Sequence, residues 1–287
     1  MRCTTRQSGF TLIELVVTLV ISAIVVSFVS LFISGSVKGF TDQTRRVRLV
    51  DSADSALQRI GRDVRRALPN SVRTTTTAGV TALEMLSTVD GARYRAQPPG
   101  TAAQILDFAA TDGSFNALGP FTQVIKPFSS TSHYLAIYNV GVPGADAYEL
   151  ANVITPAGTQ IDIAVDGATG EDRVTLSPAF KFAYGSPSQR VFLLDGPVTY
   201  LCDTITGTLM RYQGYAIASS QASVDSHGEL LAAGASASLM ANQIVGCTFT
   251  YTPGTAERGG LLVLSISVSA QGESVSLLSQ VHVDNVP

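Results

Sequence analysis

At 287 residues the chain has room for one large or two ordinary domains, and its 45% hydrophobic content is ordinary for a globular protein. Charged residues make up only 14%, tryptophan is absent and the net charge is −3, a β-rich, exported-looking composition that speaks against a nucleic-acid binder. The charge is unevenly placed: Lys38 to Arg73 holds nine basic and four acidic residues, and Thr74 to Pro287 holds eight basic and seventeen acidic.

The first element is an apolar run. Arg2 and Arg6 precede Gly9, and from Phe10 to Ile33 the only charge is Glu14. A bilayer-spanning helix needs roughly 20 apolar residues, so a run of about 24 fits one. It exceeds the roughly 7–15-residue core of a secretory signal, and no A-x-A cleavage site follows. Thr11, Thr18, Ser22, Ser27 and Ser30 can each return a hydroxyl bond to the helix backbone. Glu14 is harder to place, because a charged group at mid-membrane costs about 3 kcal/mol unless it has a partner or a route to water. One helical turn from Phe10, it either snorkels to the near face or meets a cation. Gly9-Phe10-Thr11-Leu12-Ile13-Glu14 resembles the processing motif of type IV pilins and of the pseudopilins of type II secretion. The resemblance implies that prepilin peptidase cuts after Gly9 and that Phe10 is N-methylated. It implies further that Glu14 neutralises the new N-terminal ammonium of a neighbouring subunit.

Residues 34–39 form a weak helical patch, since each glycine costs up to about 1 kcal/mol relative to alanine in a helix. Gly35 and Gly39 fit a GxxxG pattern, but with Lys38 inside it a hinge is expected instead. The resemblance implies a segment near here that unwinds in an assembled fibre. Asp42 favours a second helix start. Val47, Val50, Ala53, Leu57, Ile60, Val64 and Leu68 then recur at three- and four-residue steps as one apolar stripe. Asp42–Arg46 and Arg59–Asp63 are spaced to pair on the solvent side, and Pro69 ends the helix.

Beyond residue 70 the pattern is β. Residues 72–77 are rich in β-branched types, and 83–89 and 92–95 flank Asp90-Gly91 as an expected hairpin. Residues 97–100 are a loop. Candidate strands lie at 105–108 and 134–140, and 160–165 and 173–176 flank a second turn at 166–172. Further strands are expected at 190–194, 198–202 and 208–215, divided by Asp195-Gly196-Pro197 and by 203–207. A short helix is expected at 239–243, then strands at 247–251, 261–270 and 274–283. Leu264, Ile266 and Val268 alternate with serines, giving one buried and one wet face.

No catalytic motif accompanies His133, His227 and His282, so no enzyme is expected. Asp162, Asp166, Glu171 and Asp172 are weak calcium candidates, because hard cations take several carboxylates. They lack an EF-hand order, and a solvated acidic turn is the plain alternative; no other cofactor is expected. Arg45, Arg46, Arg48, Arg59, Arg62, Arg65 and Arg66 read as inter-subunit pairing and solvation, not as a nucleic-acid surface.

Loss of a leader would remove Cys3 and leave Cys202 and Cys247 as the only intramolecular pair, in what would be an oxidising periplasm. Closing a loop of about 45 residues stabilises by roughly 4 kcal/mol; two buried thiols are the other reading.

The resemblance extends further. Leu57-Gln-Arg-Ile-Gly-Arg-Asp-Val-Arg-Arg-Ala-Leu-Pro-Asn-Ser-Val-Arg73 is similar to the helix end of J-type pseudopilins and W-type minor pilins. Leu68-Pro-Asn-Ser-Val-Arg73, Thr88-Val-Asp-Gly-Ala-Arg-Tyr-Arg95, Val198-Thr-Tyr-Leu-Cys202 and Gln280-Val-His-Val-Asp-Asn-Val-Pro287 resemble minor pilins of the mannose-sensitive haemagglutinin (MSHA) pilus. Nothing across 101–189 carries a likeness. Together these imply an α+β, type IV pilin-like fold: a leader at 1–9, a transmembrane helix at 10–33, an amphipathic stalk at 34–69 and a β-rich head at 70–287. The implied function is a minor pilin built into, or priming, a type IV fibre. The alternatives are a J-like pseudopilin of a secretion system or a pilus-tip adhesin. Implied partners are major and minor pilins, prepilin peptidase, the inner-membrane assembly platform and the lipid bilayer. The expected location is the inner membrane, N terminus cytoplasmic and head periplasmic, and then the fibre.

Overall fold

The computed structural model describes residues 9–254 and 258–286, with the backbone alone at 35 and 36. Helix α1 runs Leu12–Arg65. It continues through residues 34–39, where a hinge was expected. Opening a helix mid-course bares backbone donors and acceptors, which outweighs the small penalty of two glycines. The chain falls into two compact units, one ending at Arg48 and one beginning at Leu49. In the first, every described side chain from Phe10 to Phe40 is exposed.

The second unit holds the last turns of α1 and thirteen strands among the described residues. These are β1 (Arg73–Thr77), β2 (Val80–Arg93), β3 (Asp112–Ala117), β4 (Phe128–Ser130), β5 (Tyr134–Ala136), β6 (Gln160–Val165) and β7 (Asp172–Phe180). There follow β8 (Arg190–Asp203), β9 (Thr208–Gln213), a one-turn-and-a-half helix α2 (His227–Ala232), β10 (Ser236–Asn242), β11 (Ile244–Thr252), β12 (Gly260–Ala270) and β13 (Glu273–Val283). All pair antiparallel. They form a sheet β1-β2-β8-β9-β10 with β5 added on β8, a sheet β11-β12-β13 and a sheet β3-β7-β6-β4. The fold is α+β.

The apolar stripe of α1 packs where its periodicity says it must. Leu49, Ala53, Ala56, Leu57, Ile60 and Val64 share one core with Met85, Tyr200, Phe249, Leu262, Leu264 and Ile266. Val47 is exposed, and Leu49 and Ala56 complete the stripe in its stead. Leu68 leaves the helix and donates its amide to the Leu86 carbonyl at 2.8 Å, which ties the helix end to β2. The Cys202–Cys247 disulfide joins β8 to β11, and hence the first sheet to the second, with 6.4 Å between Cα atoms.

Several local expectations are corrected. Asp90-Gly91 is not a turn: β2 runs through it, with Asp90 opposite Leu193 and Gly91 opposite Phe192. The Asp90 carboxylate instead accepts from the amides of Gln123 and Gly91. The reversal before it is Ala78-Gly79, at φ 50° and 86°, the left-handed pair that a tight hairpin needs. Asp195-Gly196-Pro197 does not divide two strands either. Gly196 and Pro197 pair with Ser87 and Leu86, and register shifts beside Thr88 absorb the irregularity as bulges. Residues 239–243 are not helical, because β10 pairs with β9 there; the helix lies earlier, where Ser226 caps α2. Residues 105–108 form no strand, and 134–140 holds only the three-residue β5.

Candidate processing and assembly site

The start of α1 is built by Thr11. Its hydroxyl accepts from the Glu14 amide at 3.3 Å, satisfying one of the donors that a helix start leaves open, and its carbonyl accepts the first intrahelical bond from the Leu15 amide at 3.2 Å. Glu14 therefore sits in the first helical turn, where the helix dipole favours a carboxylate. This capping pattern, threonine followed three residues later by glutamate, was legible in the sequence and is a signal that the membrane argument passed over. Gly9 and Phe10 precede the helix, and Phe10 is 80% exposed. A side chain built at Gly9 would meet nothing within 4 Å. The rest of the leader expected at 1–9 lies outside the described residues.

Behind this start comes the one described helix long and apolar enough to cross a membrane, with a mean hydropathy of 2.8 over its best window and none of that window buried. Two of its hydroxyls return a bond to the helix backbone as expected: Thr18 donates to the Leu15 carbonyl at 2.9 Å and Ser27 to that of Ala23 at 2.8 Å.

The four acidic residues of the candidate set are engaged by protein donors. Asp166 accepts from Asn116 at 2.9 Å, from the Ala168 amide at 3.0 Å and from Gln104 at 3.1 Å, and these bonds hold its carboxyl well below the usual range. Glu171 pairs with Arg95, whose bond is the main reason its carboxyl is lowered. Asp172 takes the Lys126 ammonium at 2.8 Å and the Phe121 amide at 2.6 Å. Asp162 accepts from Ser129 and Gln160. Asp166 and Glu171 share the Asn116 amide as a donor, at 2.9 and 3.1 Å, whereas Asp172 and Asp162 are bonded to other groups. No group of three His, Cys, Asp or Glu among the described residues is placed to hold a metal ion. The histidines are likewise dispersed: His133 bonds Ser130, His227 bonds Tyr212, and His282 lies exposed on β13.

Residues 4–30 match the family model for the prokaryotic N-terminal methylation motif. The chain opens on a type IV pilin-type prepilin signal. Searches of curated proteins and of solved structures returned no match. The motif implies processing by prepilin peptidase and assembly with other pilins, and with the apolar helix it supports membrane anchoring.

Proposed function

We propose that the chain is a minor pilin, a structural subunit without catalytic activity, of a type IV pilus of the MSHA type, resembling MshO in the segments quoted above. Prepilin peptidase cuts after Gly9, Phe10 is N-methylated, and the mature subunit enters or primes the fibre. The observation that carries the reading is the methylation motif at 4–30 leading directly into a bare apolar helix. Glu14 lies in the first turn of that helix, four residues from Phe10, and in this reading it pairs with the mature N-terminal ammonium of a neighbouring subunit. Burying an ammonium and a carboxylate together costs far less than burying either alone. In this reading the transmembrane segment is 10–33, the stalk 34–69 and the head 70–287, with the head periplasmic and Arg2 and Arg6 cytoplasmic.

N-terminal mass spectrometry of the protein from its native membrane tests the first step. The expected species begins at methylated Phe10; an intact chain beginning at Met1 overturns the reading. A Glu14→Ala variant is expected to be cleaved normally and yet be missing from sheared fibres. The same variant recovered in fibres at the normal level removes the pairing role while leaving processing intact. Residues 57–73 keep a J-like pseudopilin as the second reading, and the genes flanking this one separate pilus from secretion system.

A further inference from the structure

We infer that the open edge of β13, together with the flank of α1 beside it, binds an extended polypeptide segment that carries carboxylates at alternate positions. The inference rests on residues 54–65 and 273–283 and does not depend on the pilin reading.

β13 pairs with β12 without a register break from Glu273↔Ala270 to Val283↔Gly260, and β12 is its only strand neighbour among the described residues. One side of an eleven-residue strand therefore presents backbone donors and acceptors with no ladder to join. Such edges are ordinarily protected by lysine, proline or a bulge, and β13 has none of these. Its apolar cover is also incomplete. On β12, Leu262, Leu264, Ile266 and Val268 are fully buried, whereas Val275 and Leu277 on the same face of β13 are only partly covered; Leu278, on the other face, is 65% exposed. An added strand would supply both the missing ladder and the missing cover.

The chemistry of the occupant follows from the groove beside this edge. Its volume is about 390 Å³, and its walls include Gly61, Arg62 and Arg65 on α1 and Leu277, Leu278 and Val281 on β13. Gly61 brings helix and strand close: a Cβ there would lie 3.5 Å from Val281 Cγ2. Arg62 and Arg65 are exposed and take part in no ion pair among the described residues. By contrast the intervening Asp63 is already engaged with Arg59 and Arg211. Asp54 also lines the groove, its carboxylate accepting from Gln58 at 2.6 Å, so the groove carries a net positive charge from two guanidiniums three residues apart on a helix, about 4.5 Å along its axis. Same-face residues of a strand recur about every 6.6 Å, so two carboxylates at i and i+2 of an added strand fall within reach of both.

The test uses the full chain in detergent and a fluorescent decapeptide with alternating Val and Glu. Saturable binding is expected, with the Val-Lys counterpart and a Val-Glu peptide N-methylated along one edge each weaker by ~10-fold or more. Amide exchange is expected to slow along residues 277–281. The Arg62→Glu/Arg65→Glu variant should reverse the charge preference. Equal binding of the acidic and basic peptides, equal binding of the N-methylated peptide, no saturation up to ~1 mM, or protection confined to another strand overturns the inference. Should the double variant fail to fold, the three peptides on the unaltered chain decide the matter alone.

Discussion

Asp63 shows how a surface-looking residue becomes structural. Its spacing to Arg59 is that of a solvent-side helix pair, and that pair forms at 3.4 Å. The same carboxylate also accepts from Tyr200 at 2.8 Å and from Arg211 at 2.8 Å, tying α1 to β8 and β9. Burial and this neighbouring charge push the Tyr200 phenol above its ordinary range. Asp63→Ala is expected to cost about 2–3 kcal/mol in denaturant unfolding, because two partly buried donors lose their acceptor. In that background Tyr200→Phe should cost little more, which a double-mutant cycle would read. Asp166 gives a pH signature. Its folded-state pKa is depressed, so its stabilising contribution is complete above the unfolded value, near 3.9, and is lost as pH falls through the folded value. Between about pH 5 and pH 2 the melting temperature should fall less steeply for Asp166→Asn than for the parent chain. Parallel slopes would mean that Asp166 is not coupled to folding.

Among the elements, the Ala78-Gly79 turn and the disulfide are the most exposed to test. Ala78 holds φ 50°, a region that costs an L-residue roughly 1 kcal/mol, so Ala78→Gly is expected to be neutral or stabilising by up to that amount. Reducing Cys202–Cys247 removes a cross-link over 45 residues and should lower stability by about 4 kcal/mol in the chain-entropy view, measured by unfolding with and without reductant. What was legible in the sequence was what short periods encode: the α1 stripe, the serine alternation of β12, the turn at 166–171. Where order comes from contacts between distant residues, local pattern failed. The stretch from 94 to 111, between β2 and β3, is held by isolated backbone bonds such as Leu106 to Arg95 and Asn116 to Gln104, which no periodicity announces. Asp90-Gly91 and Asp195-Gly196-Pro197 looked like turns because turn residues also suit bulges, and only the β2–β8 register tells the two apart. Arg73 and Glu84 make the same point: their ion pair at 2.8 Å follows from facing each other across β1 and β2, once the turn is placed correctly. The N-terminal site was legible because its residues are contiguous. The groove at β13 was not, because α1 and β13 lie at opposite ends of the chain.

For the molecule as a whole, the uneven charge should govern encounters. The acidic balance of 74–287 and the basic balance of 38–73 favour approach of one subunit's basic segment to another's acidic surface, an attraction that salt screens within about 8–10 Å. Association of the full chain in detergent should therefore weaken as salt rises. An association that strengthens with salt would point to apolar contacts as the main force.

The bare stretch from Phe10 to Phe40 has one consequence for the life of the protein. No described residue covers those side chains, so contact with water is unfavourable for the stretch. Lipid tails, or other helices as apolar, would shelter it. Leaving one shelter for the other is then an exchange of neighbours, and any copy caught between them is marked for removal by the surface it shows.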